Sequence, residues 1–204
     1  MLFSDEYKTI EAPSAGSFRD KGSRFLSFAF PANSENEVKL QLDKLHKQYY
    51  DATHHCYAYR LGFDKSAFRI NDDGEPSGTA GRPIYGQILS HDLTNVLVVV
   101  VRYYGGTNLG VPGLINAYKT ASHEALSVAP IITRTVKEVY EVKFKYEMMN
   151  DVMKIVKDEL LELVNNEFGT ECVIQVAVKH SKAMHVSGRF LKIKGLTTNY
   201  LYIF

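Results

Sequence analysis

The run Val96-Leu97-Val98-Val99-Val100-Val101 constrains this chain more than any other segment. β-branched residues favour a pleated strand. Four consecutive valines leave no polar alternation, so both faces of that strand are apolar. Such a strand belongs in the middle of a sheet with material packed on each side. Six apolar residues fall far short of the ~20 that a membrane-spanning helix needs. The chain has 204 residues, 45% hydrophobic and 23% charged, ordinary values for a soluble globular protein. That length fits one large domain or two small ones and buries a core without staples.

The flanking pattern supplies partners for this strand. Residues 18–30 alternate around Phe25, Leu26 and Phe28 and predict one or two strands. Ser34-Glu35-Asn36-Glu37 matches a capping box. Val38, Leu42, Leu45 and Tyr49 then mark one face of a helix over 35–50. His55 to Leu61 and Ala67 to Ile70 predict two strands paired across the intervening turn. Pro83 suits the first turn of a short helix. A Gly-rich loop, Gly105 to Gly113, leads into a helix over 111–127 with a small-residue face of Ala117, Ala121 and Ala125.

Ala129-Pro130 breaks the pattern, and a boundary near 130–134 gives domains 1–133 and 134–204. The second half predicts strand 135–145, helix 148–164, a short strand before the Phe168-Gly169-Thr170 turn, strand 171–179, a helical or irregular piece 181–190, and strand 196–204. This is a β-α-β-β-α-β order, a ferredoxin-like unit. The fold class is therefore α+β, with two α/β sandwich domains. The net charge is +1, which excludes a protein basic all over. Cys56 and Cys172 lack CxxC partners, so reduced thiols are expected and a structural zinc site is not. No secretory signal pattern opens the chain, and a cytoplasmic protein is expected.

Three segments have the residue types that carry chemistry. Asp72, Asp73 and Glu75 crowd one turn set by Gly74 and Pro76. Three carboxylates so close repel unless a cation or donor offsets them. They suit a divalent-cation site, with His54 or His55 as a base in a metal-assisted hydrolase, and equally a solvated turn that caps backbone N–H groups. Next, Gly78, Thr79, Gly81 and Arg82 stand directly before a helix. Backbone N–H groups there can hold an anion, or the stretch is a tight helix entry that pairs with the acidic turn. Third, Arg102-Tyr103-Tyr104 precedes the Gly-rich loop. Gly105 to Gly110 has P-loop spacing, but Val111-Pro112 replaces the phosphate-gripping lysine. Arg102, Tyr103 and Tyr104 instead suit phosphate pairing and base stacking, or a packed strand end.

The blocks KGSRF (21–25), HHCYAYRLG (54–62), NDDGEPSGTAGRP (71–83) and VVVVRYYGGTNLGVPGLINAY (98–118) together resemble the IMPACT/YigZ family. The resemblance implies a first domain similar to the ribosomal-protein domain-2-like fold of elongation factor G domain IV. It also implies a second domain similar to that factor's ferredoxin-like C-terminal domain. Eukaryotic relatives are linked to translational control. Pro112 departs from the family's loop and removes one N–H donor.

The function expected is a non-enzymatic module that binds RNA or the ribosome and regulates translation. A translation-linked protein is a further expected partner, and neither a membrane nor a cofactor is expected. Its contacts would be Lys21, Arg24, Gly78, Thr79, Gly81, Arg82, Arg102, Tyr103, Tyr104 and Lys119. The alternatives are a metal-assisted hydrolase acting on a phosphate-bearing or peptide substrate through His54, His55, Asp72, Asp73 and Glu75, and a protein-interaction adaptor.

Overall fold

A computed structural model describes residues 5–204. The chain forms two compact units, one of Tyr7–Arg134 and one of Thr135–Phe204 with Asp5 and Glu6.

In the first unit the strands are β1 (Glu6–Ile10), β2 (Ser14–Asp20), β3 (Ser23–Pro31), β4 (His54–Leu61), β5 (Ala67–Asn71), β6 (Val96–Tyr103) and β7 (Ile131–Thr135). Its helices are α1 (Glu35–Gln48), α2 (Gly81–Ser90) and α3 (Gly110–Ser127). Five strands form one sheet in the order β2-β3-β6-β4-β5, and β1 and β7 form a separate ribbon. β6 is central and antiparallel to both β3 and β4. Its side chains divide strictly by parity. Val96, Val98 and Val100 join a core roofed by α2 and α3, with Ile84, Ile88, Ala117, Ala121 and Ala125. Leu97, Val99 and Val101 join Val38 and Leu45 of α1 on the other face. Both faces are covered, as four consecutive valines require. Burying each valine stabilises the fold by roughly 1.5–3 kcal/mol relative to exposure.

Local sequence sets the elements. Ser34 caps α1 by accepting from the Glu37 N–H, and the Glu37 carboxylate accepts from the Asn33 N–H. Lys21 and Gly22 both take positive φ, 43° and 82°. That geometry is the two-residue type I′ turn whose twist suits a hairpin, and it joins β2 to β3.

The second unit contains β8 (Lys137–Lys145), α4 (Met149–Asp158), β9 (Glu162–Glu167), β10 (Glu171–Lys179), α5 (Ala183–Phe190) and β11 (Thr197–Ile203). The sheet order is β11-β8-β10-β9 with every neighbour antiparallel, the ferredoxin-like arrangement. Val152, Ile155, Val156, Val186 and Phe190 of the two helices pack on Val142, Phe144, Ile174 and Val176 of the sheet.

The helix expected over 148–164 ends at Asp158. Leu160 turns the chain with φ 52°, and the Leu161 N–H closes back on Val156 O at 2.9 Å. A glycine normally makes this stop, and leucine does it here, so the sequence shows no break. Residues 162–167 leave the helix as β9.

Candidate nucleic-acid interface

One end of the first sheet collects most of the chemistry-bearing residues. Strand register sets them side by side: Tyr103 of β6 lies opposite Arg24, and Arg102 lies between Phe25 of β3 and His54 of β4. Arg24 stacks its guanidinium 4.8 Å above the Tyr103 ring. The Tyr103 hydroxyl donates to Asp51 at 2.8 Å, and the Tyr104 N–H donates to Thr53 Oγ1 at 3.1 Å. The type I′ turn brings Lys21 to the same end. Arg19, Lys21, Arg24, Tyr103 and Tyr104, with Asp20 and Ser23, line a cleft of about 430 Å³.

Arg102 does not stand on the surface with these groups. It is 5% exposed, and its Nη1 donates to Glu75 Oε1 at 2.5 Å. Its Nη2 donates to Ser23 Oγ at 3.3 Å, and Ser23 Oγ also accepts from the Gly105 N–H. The Tyr118 hydroxyl donates to the same Glu75 oxygen at 2.7 Å. Cys56 donates its thiol toward Tyr118 Oη at 3.3 Å. Burial pushes both the Cys56 thiol and the Tyr118 phenol well above their ordinary values, so both stay protonated donors at neutral pH. Ser23 and Tyr118 are the members that sequence reasoning missed. The available signal for Tyr118 was its place four residues after Leu114 on the buried face of α3.

The acidic turn divides its duties. Asp72 faces the start of α2, accepting from the N–H groups of Gly78 (2.8 Å), Ala80 (3.0 Å) and Gly81 (2.8 Å). Thr79 spends its hydroxyl on Pro76 O. The loop expected to hold an external anion thus holds a carboxylate of its own chain. Arg82 is exposed beside it, and Lys119 is exposed in the third turn of α3. Asp73 accepts from the His55 N–H at 2.6 Å, and Glu75 turns inward to Arg102. His54 shares a sheet face with Cys56, whereas His55 points to the α1 side, its ring 4.1 Å from that of His46. Burial and the His46 charge together hold the His55 pKa below the usual value. Among the described residues, no three of His, Cys, Asp and Glu converge to hold a metal ion. The set His54, His55, Asp72, Asp73 and Glu75 is therefore split among a helix cap, a backbone bond, an internal ion pair and two sheet faces.

Burial alone would raise the Asp72 pKa, but three backbone donors and the Arg82 charge override it and hold it below the ordinary carboxylate value. Its contribution is thus complete above the unfolded carboxylate pKa and falls away as pH drops through the lower folded value. Asp72→Ala is expected to cost about 1–2 kcal/mol near neutral pH. The difference from the parent should shrink on acidification, and urea melts at neutral and acid pH check both parts.

A two-unit α/β protein with a basic, aromatic end to its first sheet is the class so defined. Residues 21–126 match the family model described as the Impact N-terminal domain, and the chain belongs to the IMPACT family. IMPACT family member YvyE of Bacillus subtilis is 31% identical over 163 residues, 79% of this chain and 75% of that protein. IMPACT family member YigZ of Escherichia coli is 28% identical over 171 residues, 83% and 84% of the two chains. A crystal structure of a hypothetical protein matches with TM-score 0.70 and 25% identity, covering 97% of this chain and 98% of its own. The structure of the two-domain translational regulator Yih1 is 29% identical over 58% of this chain and 48% of its own, with TM-score 0.39.

Proposed function

We propose that this chain binds RNA, free or in the ribosome, and acts in the regulation of translation. Yih1 is a translational regulator, and the extension of that role to this chain is part of the proposal. The observation that carries the binding step is the cleft where Lys21, Arg24, Tyr103 and Tyr104 meet. Lys and Arg pair phosphates, and aromatic rings stack bases that are free of a duplex. Arg24 already rests over the Tyr103 ring, so less freedom is lost when it meets a phosphate. Tyr104 is 46% exposed and presents a ring to a base. Arg102 lies beneath and holds Tyr104 from below, 5.4 Å from its ring, so its part is positioning.

The test is fluorescence anisotropy with a labelled single-stranded RNA across a salt series. Lys21→Ala with Arg24→Ala is expected to weaken binding about tenfold at low salt. It should also flatten the salt slope by about 0.7 for each phosphate left unpaired. Tyr104→Ala is expected to lose roughly 1–3 kcal/mol of stacking with an unchanged slope. If the parent chain binds neither RNA nor ribosomes at low salt, the proposal is wrong.

A further inference from the structure

A second cleft, about 490 Å³, adjoins the first across Tyr104. Pro76, Leu109, Val111 and Leu114 give it apolar walls, and Glu75 and His54 bring two polar groups into it. Glu75 is only 8% exposed. The Arg102 and Tyr118 donors both fall on its Oε1 and occupy the two lone pairs of that oxygen. No donor among the described residues reaches Oε2. The described side-chain atoms that are both sealed and unpartnered are Ser27 Oγ, His55 Nε2 and Arg102 Nε. Glu75 Oε2 is not one of them, so it keeps accessible surface, and the cleft is the space that Glu75 lines.

His54 meets the same test. The carbonyl of Asp73 can only accept, so the 2.6 Å contact places a proton on His54 Nδ1. In the neutral ring Nε2 is then an acceptor, 3.9 Å from Glu75 Oε1. No described donor reaches Nε2, and it is not sealed. Arg102 neutralises Glu75, so the two acceptors stand together without a net charge to draw a cation. They suit a neutral group with two N–H bonds. Beside them, three contacts hold Tyr104 in place. Its hydroxyl donates to Asn108 Oδ1 at 3.2 Å, its N–H donates to Thr53 Oγ1, and its ring lies 5.4 Å from the Arg102 guanidinium. A fixed aromatic ring between apolar walls accepts a flat ring.

We propose that this cleft takes one unpaired base of a bound RNA and selects a base with an exocyclic amino group, adenine or cytosine. The inference rests on the RNA-binding reading and deepens it by naming the base. The base stacks on Tyr104, and its amino group donates one N–H to Glu75 Oε2 and the other to His54 Nε2. Two bonds of about 2.9 Å leaving one nitrogen at about 120° join acceptors about 5 Å apart. His54 Nε2 and the Glu75 carboxylate stand on that scale. Uracil has one N–H between two carbonyl oxygens, and those oxygens would face acceptors. Guanine pairs its N1–H and amino group with a carboxylate through both oxygens, and Oε1 is already filled. A glutamine side chain has the donor pair but no ring for Tyr104.

The experiment measures anisotropy of a labelled octauridylate with the full chain at low salt. The same octamer is compared with one central base replaced by adenine, cytosine, guanine or N6,N6-dimethyladenine. One adenine or one cytosine should tighten binding about tenfold, the discrimination that a two-bond contact to a base edge supplies. Guanine should give no such gain. Dimethyladenine stacks but has no amino N–H, so it should lose the gain. Glu75→Gln keeps an oxygen for Arg102 and Tyr118 and turns its amide donor toward the cleft, so preference should pass from adenine to uracil. A gain with adenine alone or cytosine alone supports the proposal and narrows the base to that ring. Equal binding of the uracil, adenine and cytosine octamers overturns it and leaves the RNA-binding face standing. So does a guanine gain equal to that of adenine, a gain that dimethyladenine keeps, or an adenine preference retained in folded Glu75→Gln. Free adenosine and uridine, followed through the His54 ring signals by NMR, separate the two readings. Saturable shifts with adenosine, stronger than with uridine, in a chain that binds no octamer would keep the base site and overturn RNA binding. A chain that binds neither octamer nor nucleoside overturns both.

Discussion

Glu75→Ala is expected to destabilise the first unit by about 3–5 kcal/mol. The carboxylate and the Arg102 guanidinium are almost fully enclosed, with side-chain exposures of 4% and 6%. Removing the acid leaves a buried cation without a counter-charge, in contact with Ser23 Oγ and the faces of Phe25 and Tyr104. It also strips the Tyr118 hydroxyl of its acceptor. Glu75→Gln keeps the shape and an amide oxygen, so it should lose less. The decisive comparison is Glu75→Leu combined with Arg102→Met. An apolar pair of similar bulk should recover much of the single-mutant loss, because no uncompensated charge remains. Hydrogen exchange at the β6 amides of the full chain reads the first unit alone. Additive losses in the double variant would show that the pair does not act as a unit.

This pair also marks the boundary of what the sequence reveals. β6 is legible because its apolar run speaks for itself, and α1 is legible through Ser34 and its 3–4 spacing. The ferredoxin-like order follows from the alternation of short apolar runs. Arg102 reads from sequence as an exposed phosphate contact, since nothing local tells it from Arg24. Its burial depends on Glu75, 27 residues earlier, and on Tyr118, 16 residues later, and only the folded sheet brings these together. The same holds for Asp72. A turn rich in carboxylates and a Gly/Thr loop each suggest a ligand, yet six to nine residues separate a donor loop from its own acceptor. Periodicity reports which face of an element is apolar. It cannot report which polar groups of two elements satisfy each other.

Gly105→Ala is the substitution expected to be most damaging for the space it occupies. A Cβ there would lie 2.0 Å from the Gly22 carbonyl carbon and 2.2 Å from the Ser23 nitrogen. Both are backbone atoms, so no rotamer change relieves the clash. The β2–β3 turn must move off the end of β6. That movement takes with it the Gly105 N–H bond to Ser23 Oγ and the support Ser23 gives Arg102. Overpacking costs typically 1–3 kcal/mol before such bonds are broken, so a total of about 3 kcal/mol or more is expected. Gly106→Ala is the matching control. Its φ of 82° strains an alanine, but nothing lies within 4 Å of the new methyl. The left-handed conformation alone costs about 1–2 kcal/mol. Thermal melts should therefore rank Gly105→Ala well below Gly106→Ala, although only the second residue is left-handed. The RNA titration should separate them too. The turn that moves carries Lys21, and Arg24 follows directly on β3, so Gly105→Ala at a temperature where it stays folded should bind as weakly as Lys21→Ala with Arg24→Ala. Equal stability of the two alanine variants would mean that the hairpin turn and the β6 end do not abut as described.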